Sequence, residues 1–219
     1  MVGDEMQLML VPVAHISKKS AELAKETILR EKPQLIGLEL CRERLEGLVR
    51  GRARSMDIVT ALRHPTSALM FVAQQALGKW WHVNPGSEML EALRAASEIE
   101  RPVALLDRPI RATARQIERI PLKEKFGMLF SGGASPFGKK MKLSDLMEPE
   151  NLEVLLSKLE KDFPVSYEVF VDSRNRYMFR KLLFHKPETA VLVVGAAHVP
   201  GILKLTKESE EKISVEIAR

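Results

Sequence analysis

Cysteine is almost absent from this chain. The single thiol, Cys41, has no partner for an intrachain disulfide and rules out a thiolate metal cluster, so a reducing cytoplasm is the expected compartment. Aromatic residues make up only 5% of the sequence, which leaves few platforms for stacking single-stranded bases. No apolar run approaches the ~20 residues that span a bilayer, and the stretch from Met1 to Glu5 does not resemble a signal peptide. A phosphate loop is missing too: Ser131-Gly132-Gly133-Ala134-Ser135-Pro136-Phe137-Gly138 reads as a flexible loop or lid, with no Gly-Lys-Ser/Thr after it. The net charge of +5 is a small excess of 34 basic over 29 acidic residues. That excess is too slight to make nucleic acid an expected partner.

What remains is an ordinary globular composition, 45% hydrophobic over 219 residues, long enough to bury roughly 70% of its extended-chain surface. The most informative stretch is Thr189-Ala190-Val191-Leu192-Val193-Val194-Gly195-Ala196-Ala197-His198-Val199-Pro200-Gly201. Its valine-rich run reads as a strand covered on both faces. Gly195 and Ala196 then provide a turn with little side-chain bulk, and His198 falls at the strand's mouth. In open α/β sheets ligands bind at that carboxyl edge.

The same strand, turn, helix pattern recurs. Gln7 to Val13 leads to His15 and a helix over Lys18 to Glu31, with Ser17 as its cap and Pro33 closing it. Leu35 to Leu40 is a second strand with Glu39 at its far end, and Pro102 to Leu106 is a third that runs into Asp107 and Arg108. Ile213 to Ile217 reads as a last strand at the sheet's margin, where either direction is open. Helices are expected from about Arg42 and over Met56 to Lys79, Ser87 to Glu98, Thr113 to Phe130, Asn151 to Lys161 and Ser166 to Phe184. The fold class is therefore α/β: a mainly parallel central sheet with helices on both faces. The whole of 1–219 reads as one domain with helical insertions at about 42–101 and 111–187. Such a sheet puts His15, Glu39, Asp107 and His198 on one rim.

Several side chains sit where their chemistry is conspicuous. Glu39 closes a strand of leucine, isoleucine and glycine, and its carboxylate either emerges into solvent there or reaches a cation, metal or water. Phe170, Arg174, Met178 and Leu182 fall four apart, so Arg174 shares an apolar helical stripe and should face an acidic partner or anion. Asn175 and Tyr177 flank it. Arg108, Arg111, Arg115 and Arg119 share one helical face, of which Arg108 and Arg115 are nearest the rim and suited to a substrate carboxylate. Glu88, in the first turn of a helix after Asn84-Pro85-Gly86-Ser87, reads as a dipole-favoured structural residue. The pair Trp80-Trp81 belongs to core or interface and makes a homodimer plausible.

Six segments in this order resemble the TraB/PrgY family of the Tiki/GumN/ChaN and erythromycin-esterase-like superfamily. They are Ala14-His15-Ile16-Ser17, Leu38-Glu39-Leu40-Cys41-Arg42, Pro85-Gly86-Ser87-Glu88-Met89, Leu106-Asp107-Arg108-Pro109-Ile110 with Thr113 and Arg115, Arg174-Asn175-Arg176-Tyr177-Met178, and Val194 to Ile202. The resemblance implies an α/β core and a hydrolytic, metal-dependent site acting on a peptide or related carbonyl substrate, and it makes Glu88 a site residue. His15, His198 and one of Glu39 and Glu88 would hold a manganese, cobalt or zinc ion while the other glutamate acts as base. Arg174, Asn175 and Tyr177 would join the catalytic set, with Arg42, Arg108 and Arg115 binding substrate. Two alternatives are a metal-free ester hydrolase with histidine as base, and a non-catalytic peptide or cofactor binder, one branch of relatives being linked to peptide pheromone control. The chain departs from the family pattern at Pro12, where a glycine is usual, and at Ser173 and Asn175, where acidic residues are usual.

Overall fold

A computed structural model describes residues 5–13, 18–49, 86–131 and 148–219. The helix expected over Met56 to Lys79, Trp80-Trp81, His15, Ser17 and nearly all of the glycine-rich loop lie outside the described residues.

Five strands form one sheet: β1 (Met6–Val13), β2 (Leu35–Leu38), β3 (Val103–Leu105), β4 (Thr189–Gly195) and β5 (Ile213–Ile217). Their spatial order is β3-β2-β4-β1-β5 and every pairing is parallel, so the marginal β5 takes the same direction as the rest. The valine-rich β4 sits between β2 and β1, buried from Ala190 onward, which explains its unbroken apolar run. Alternate residues face opposite layers: Leu8, Leu10, Leu192 and Val194 face one core, Val11, Val13, Val191 and Val193 the other.

The helices divide by the direction of the crossover. α1 (Lys18–Glu31) and α3 (Ser87–Glu98) bury Ala24, Ile28, Met89, Ala92 and Ala95 on one face of the sheet. On the other face lie α8 (Ser173–Phe184), with Met178, Phe179 and Leu182, and α9 (Val199–Glu208), with Val199 and Ile202. The chain thus runs outward from β1 to β2 and β3 over one face and returns to β4 and β5 over the other, as right-handed crossovers require. The loops after β2 and β4 leave toward opposite faces, and the carboxyl edge between these neighbours is a topological switch point.

Three local readings change. The second strand ends at Leu38 rather than Leu40, because Leu40 N–H turns back to Leu38 C=O at 2.7 Å. The helix expected over 113–130 is two helices, α4 (Ile110–Arg119) and α5 (Leu122–Ser131). Ile120, at φ −64 and ψ 126, is extended as a residue before proline tends to be, and Pro121 separates the two. The helix expected from Ser166 begins at Pro164 as α7 (Pro164–Tyr167), widens into a π-helical turn over Glu168–Asp172, and resumes as α8. α2 (Arg42–Val49) and α6 (Pro149–Asp162) complete the described helices.

Candidate functional site

Glu39 follows directly on β2 and keeps one ladder bond, its own N–H donating to Val193 C=O at 3.1 Å. The side chain is buried, yet it does not stand in apolar surroundings. The backbone N–H of Gly195, the last residue of β4, donates to Glu39 Oε2 at 2.6 Å. Arg174 donates to the other oxygen, Oε1, through Nη2. A carboxylate at the strand end is thus paid for by a backbone donor and a guanidinium.

The cation comes from α8, where the apolar stripe brings Arg174 inward as its spacing predicts. Its Nε donates to Asp107 Oδ1 at 3.0 Å and its Nη2 to Asp107 Oδ2 at 2.8 Å, a two-pronged pairing. Asp107, just after β3, is itself buried and also accepts from Arg44 Nη1 at 2.8 Å. Burial works against the charge of Arg174, but Glu39 and Asp107 outweigh it and hold the guanidinium above its usual range.

His198 ends a single 3-10 turn, Ala196–His198, that carries the chain from β4 into α9. The turn is tight because Gly195, Ala196 and Ala197 have little bulk. The buried imidazole has Nε2 3.2 Å from Glu39 Oε1 and 3.2 Å from Arg174 Nη1. Its Nδ1 lies 2.6 Å from Asn175 Oδ1. With Oδ1 as acceptor, Nδ1 donates to Asn175, and Nε2 faces both the Glu39 carboxylate and the Arg174 guanidinium. Glu39, Arg174, Asn175 and His198 therefore form one buried polar centre at the sheet's carboxyl edge, backed by Asp107 and Arg44.

The other candidates have their own surroundings. Glu88 is fully buried in the first turn of α3, with the Ser87 hydroxyl donating to Oε2 at 3.4 Å. Arg108 is buried among neutral acceptors, Ser173 Oγ at 2.9 Å, Val169 C=O at 2.7 Å and Gln116 Oε1. Burial, and then the neighbouring Arg174 charge, lower its guanidinium below the usual range. Arg115 is exposed on α4 and Arg42 is exposed at the start of α2, 3.5 Å from Glu46. Tyr177 is 37% exposed and lines a cleft beside the centre.

These segments, in this order and on this sheet, match a family pattern along almost their whole length: the model of the TraB/PrgY/gumN family covers residues 3–216. The chain belongs to the TraB/PrgY/gumN family. It is 30% identical to an uncharacterized protein of Methanocaldococcus jannaschii, over 98% of this chain and 57% of that one. It is 27% identical to a TraB domain-containing protein of Bos taurus, over 92% of this chain and 63% of that one. The chain thus spans about three-fifths of the length of either relative.

In this TraB-family chain the donors expected to hold an ion can be tested against ordinary ligand geometry. Ligands bound to one tetrahedral ion at 2.0–2.2 Å stand roughly 3.4 Å from each other. The 3.2 Å between His198 Nε2 and Glu39 Oε1 is a fitting bite. Arg174, however, presses a guanidinium nitrogen against each of these two atoms, so an ion between them requires that side chain to withdraw. Among the described residues no group of three or more His, Cys, Asp and Glu side chains is gathered at ligand spacing.

Two members of the centre were absent from the sequence-derived site. Asp107 is expected on the rim but carries no role there, and Arg44 is not among the expected site residues. The available signal was an aspartate directly after a buried strand, which, like Glu39, needs a cation once buried.

Proposed function

We propose that this TraB-family protein is a hydrolase of a peptide or related carbonyl substrate, with its chemistry at the Glu39, Arg174 and His198 centre. The observation that carries the reading is the convergence of a carboxylate oxygen, a guanidinium nitrogen and a ring nitrogen, with His198 Nε2 3.2 Å from each of the other two. Preorganised charges in a buried, water-poor pocket act more strongly than they do in solution. In this reading His198, oriented by Asn175, or Glu39 takes a proton from water, and Arg174 stabilises the oxyanion that forms at the carbonyl. Asp107, itself paired with Arg44, holds Arg174 so that little reorganisation accompanies the step.

In the metal-dependent form, His198 and His15 with one of Glu39 and Glu88 would hold a manganese, cobalt or zinc ion and the other glutamate would act as base; the ion, when bound, supplies a more acidic water and a polarised carbonyl. A second form has one observation in its favour: Arg174 Nη1 lies 3.2 Å from His198 Nε2, so a fixed cation stands beside the ring nitrogen that would act as base. That form is a metal-free ester hydrolase.

One experiment separates them. The protein is assayed against peptide and ester panels as purified, after chelation, and after adding back Mn²⁺, Co²⁺ or Zn²⁺. Turnover that disappears on chelation, returns with the ion and drops at least 100-fold in His198→Ala and Glu39→Gln supports the metal-dependent form. Chelator-resistant ester turnover with the same two losses supports the metal-free form. Absence of turnover under all three conditions overturns the hydrolase reading.

A further inference from the structure

Beside the polar centre lies a cleft of about 370 Å³, at the small end of the roughly 300–1,000 Å³ typical of ligand pockets. It is bounded by α2, the end of β3 and the outer turns of α8, and it shares Asp107 with the centre. Leu105, Pro109 and the Tyr177 ring give it an apolar wall.

The charges in that lining are almost all answered. Asp107 is held by Arg174 and Arg44. Arg42 stands 3.5 Å from Glu46. Glu43, at the mouth, keeps its carboxyl below the usual range first through its own backbone N–H, then through the Cys41 thiol, with Arg111 and Arg44 adding their charges. Lys181 is different. Its half-buried ammonium donates to Leu105 C=O at 2.6 Å and lies 5.9 Å from the Tyr177 ring centroid, and among the described residues it has no carboxylate partner. An ammonium has three donors, and the carbonyl takes one. Lys181 is thus the cation of this lining that no described carboxylate answers, set against an aromatic face and an aliphatic wall.

We propose that this cleft is the subsite for the free carboxylate end of the substrate, with Lys181 as its anion-binding residue and Leu105, Pro109 and Tyr177 holding the adjoining apolar side chain. This rests on the hydrolase reading for its meaning as a substrate subsite. A single unanswered cation suits a monoanionic carboxylate better than a phosphate dianion, which would face Glu43 and Asp107 with only one counter-charge.

The test needs no turnover. N-acetyl-L-leucine and its neutral amide, N-acetyl-L-leucinamide, are titrated into the 219-residue protein by calorimetry or NMR. The acid should bind at least 5-fold more tightly than the amide, and Lys181→Met should abolish that difference while Lys181→Arg retains it. Equal binding of acid and amide to the unaltered protein, absence of binding by either, or a preference that survives in Lys181→Met overturns the proposal. Because the acid-amide comparison is made on the unaltered chain, a misfolded variant does not decide it. Failure of the hydrolase reading is seen separately, as absence of turnover with carboxylate binding intact.

Discussion

His198 Nδ1 lies 2.6 Å from Asn175 Oδ1, and the Asn175 amide is wedged against Gly201 in the first turn of α9. A Cβ on Gly201 would overlap Asn175 Nδ2, so the glycine is the space that lets the amide reach the imidazole. The amide nitrogen is buried without a hydrogen-bond partner among the described residues, a cost of about 1–3 kcal/mol. The fold tolerates that cost at the point where it orients His198.

The contact makes a quantitative prediction. Gly201→Ala should cost about 1–3 kcal/mol in urea denaturation by overpacking. In an Asn175→Ala background the same change should cost at least 0.5 kcal/mol less, as expected for residues in contact. Additive effects in the double-mutant cycle would contradict the wedge.

Arg174 is the counter-ion of two buried carboxylates. Arg174→Met should therefore destabilise the protein by about 3–5 kcal/mol, the loss seen when one partner of a buried ion pair is removed. Arg174→Lys should recover less than half of this, because an ammonium cannot reproduce the fork that spans Asp107 and Glu39. Denaturation midpoints of the two variants check both statements, and a loss below 1 kcal/mol in Arg174→Met would show that the carboxylates do not depend on it.

Arg108 fastens the π-helical turn that precedes α8. Its Nη2 takes the Val169 carbonyl within that turn, and its Nη1 takes the Ser173 hydroxyl at the turn's end. Arg108→Met should cost about 2–3 kcal/mol, the scale of a charged hydrogen bond. It should also speed amide exchange over residues 168–173, leaving β4 unchanged. Hydrogen exchange read by mass spectrometry would show whether the opening is confined to that turn.

The buried Cys41 thiol is raised above its ordinary value, first by burial, with the Arg44 backbone and side chain opposing and Glu43 adding to the rise. A raised folded-state value means the thiol contributes its full stability below the unfolded value, about 8.5, and that contribution is lost as pH climbs through the folded value. Stability of the unaltered protein should thus fall from about pH 8.5 upward, and Cys41→Ala should flatten that slope. Denaturation curves at a series of alkaline pH values give the comparison.

Much of the architecture was legible because it is written in local patterns. The apolar runs at Gln7 to Val13 and Ala190 to Val194 need cover on both faces and so announce a parallel sheet. The periodicity of Ser87 to Glu98 matches α3 residue for residue, and the four-residue spacing through Phe170, Arg174 and Met178 turned Arg174 inward. Where a reading failed locally, as at Ile120 and Pro121, the signal was present in the proline and simply outvoted by the helical pattern around it.

The amino-acid order alone determined which segments are strands, which faces of the helices are apolar, and that Glu39 and His198 fall at strand ends, since each follows from properties of neighbouring residues. The order β3-β2-β4-β1-β5, the meeting of Arg174 and Arg44 on Asp107, the inward turn of Arg108 beside the exposed Arg115, and the wedge of Asn175 against Gly201 were decided only in three dimensions. Those depend on which distant backbones lie side by side. A buried charge selects its partner by proximity in space, and proximity is set by the packing of the whole sheet.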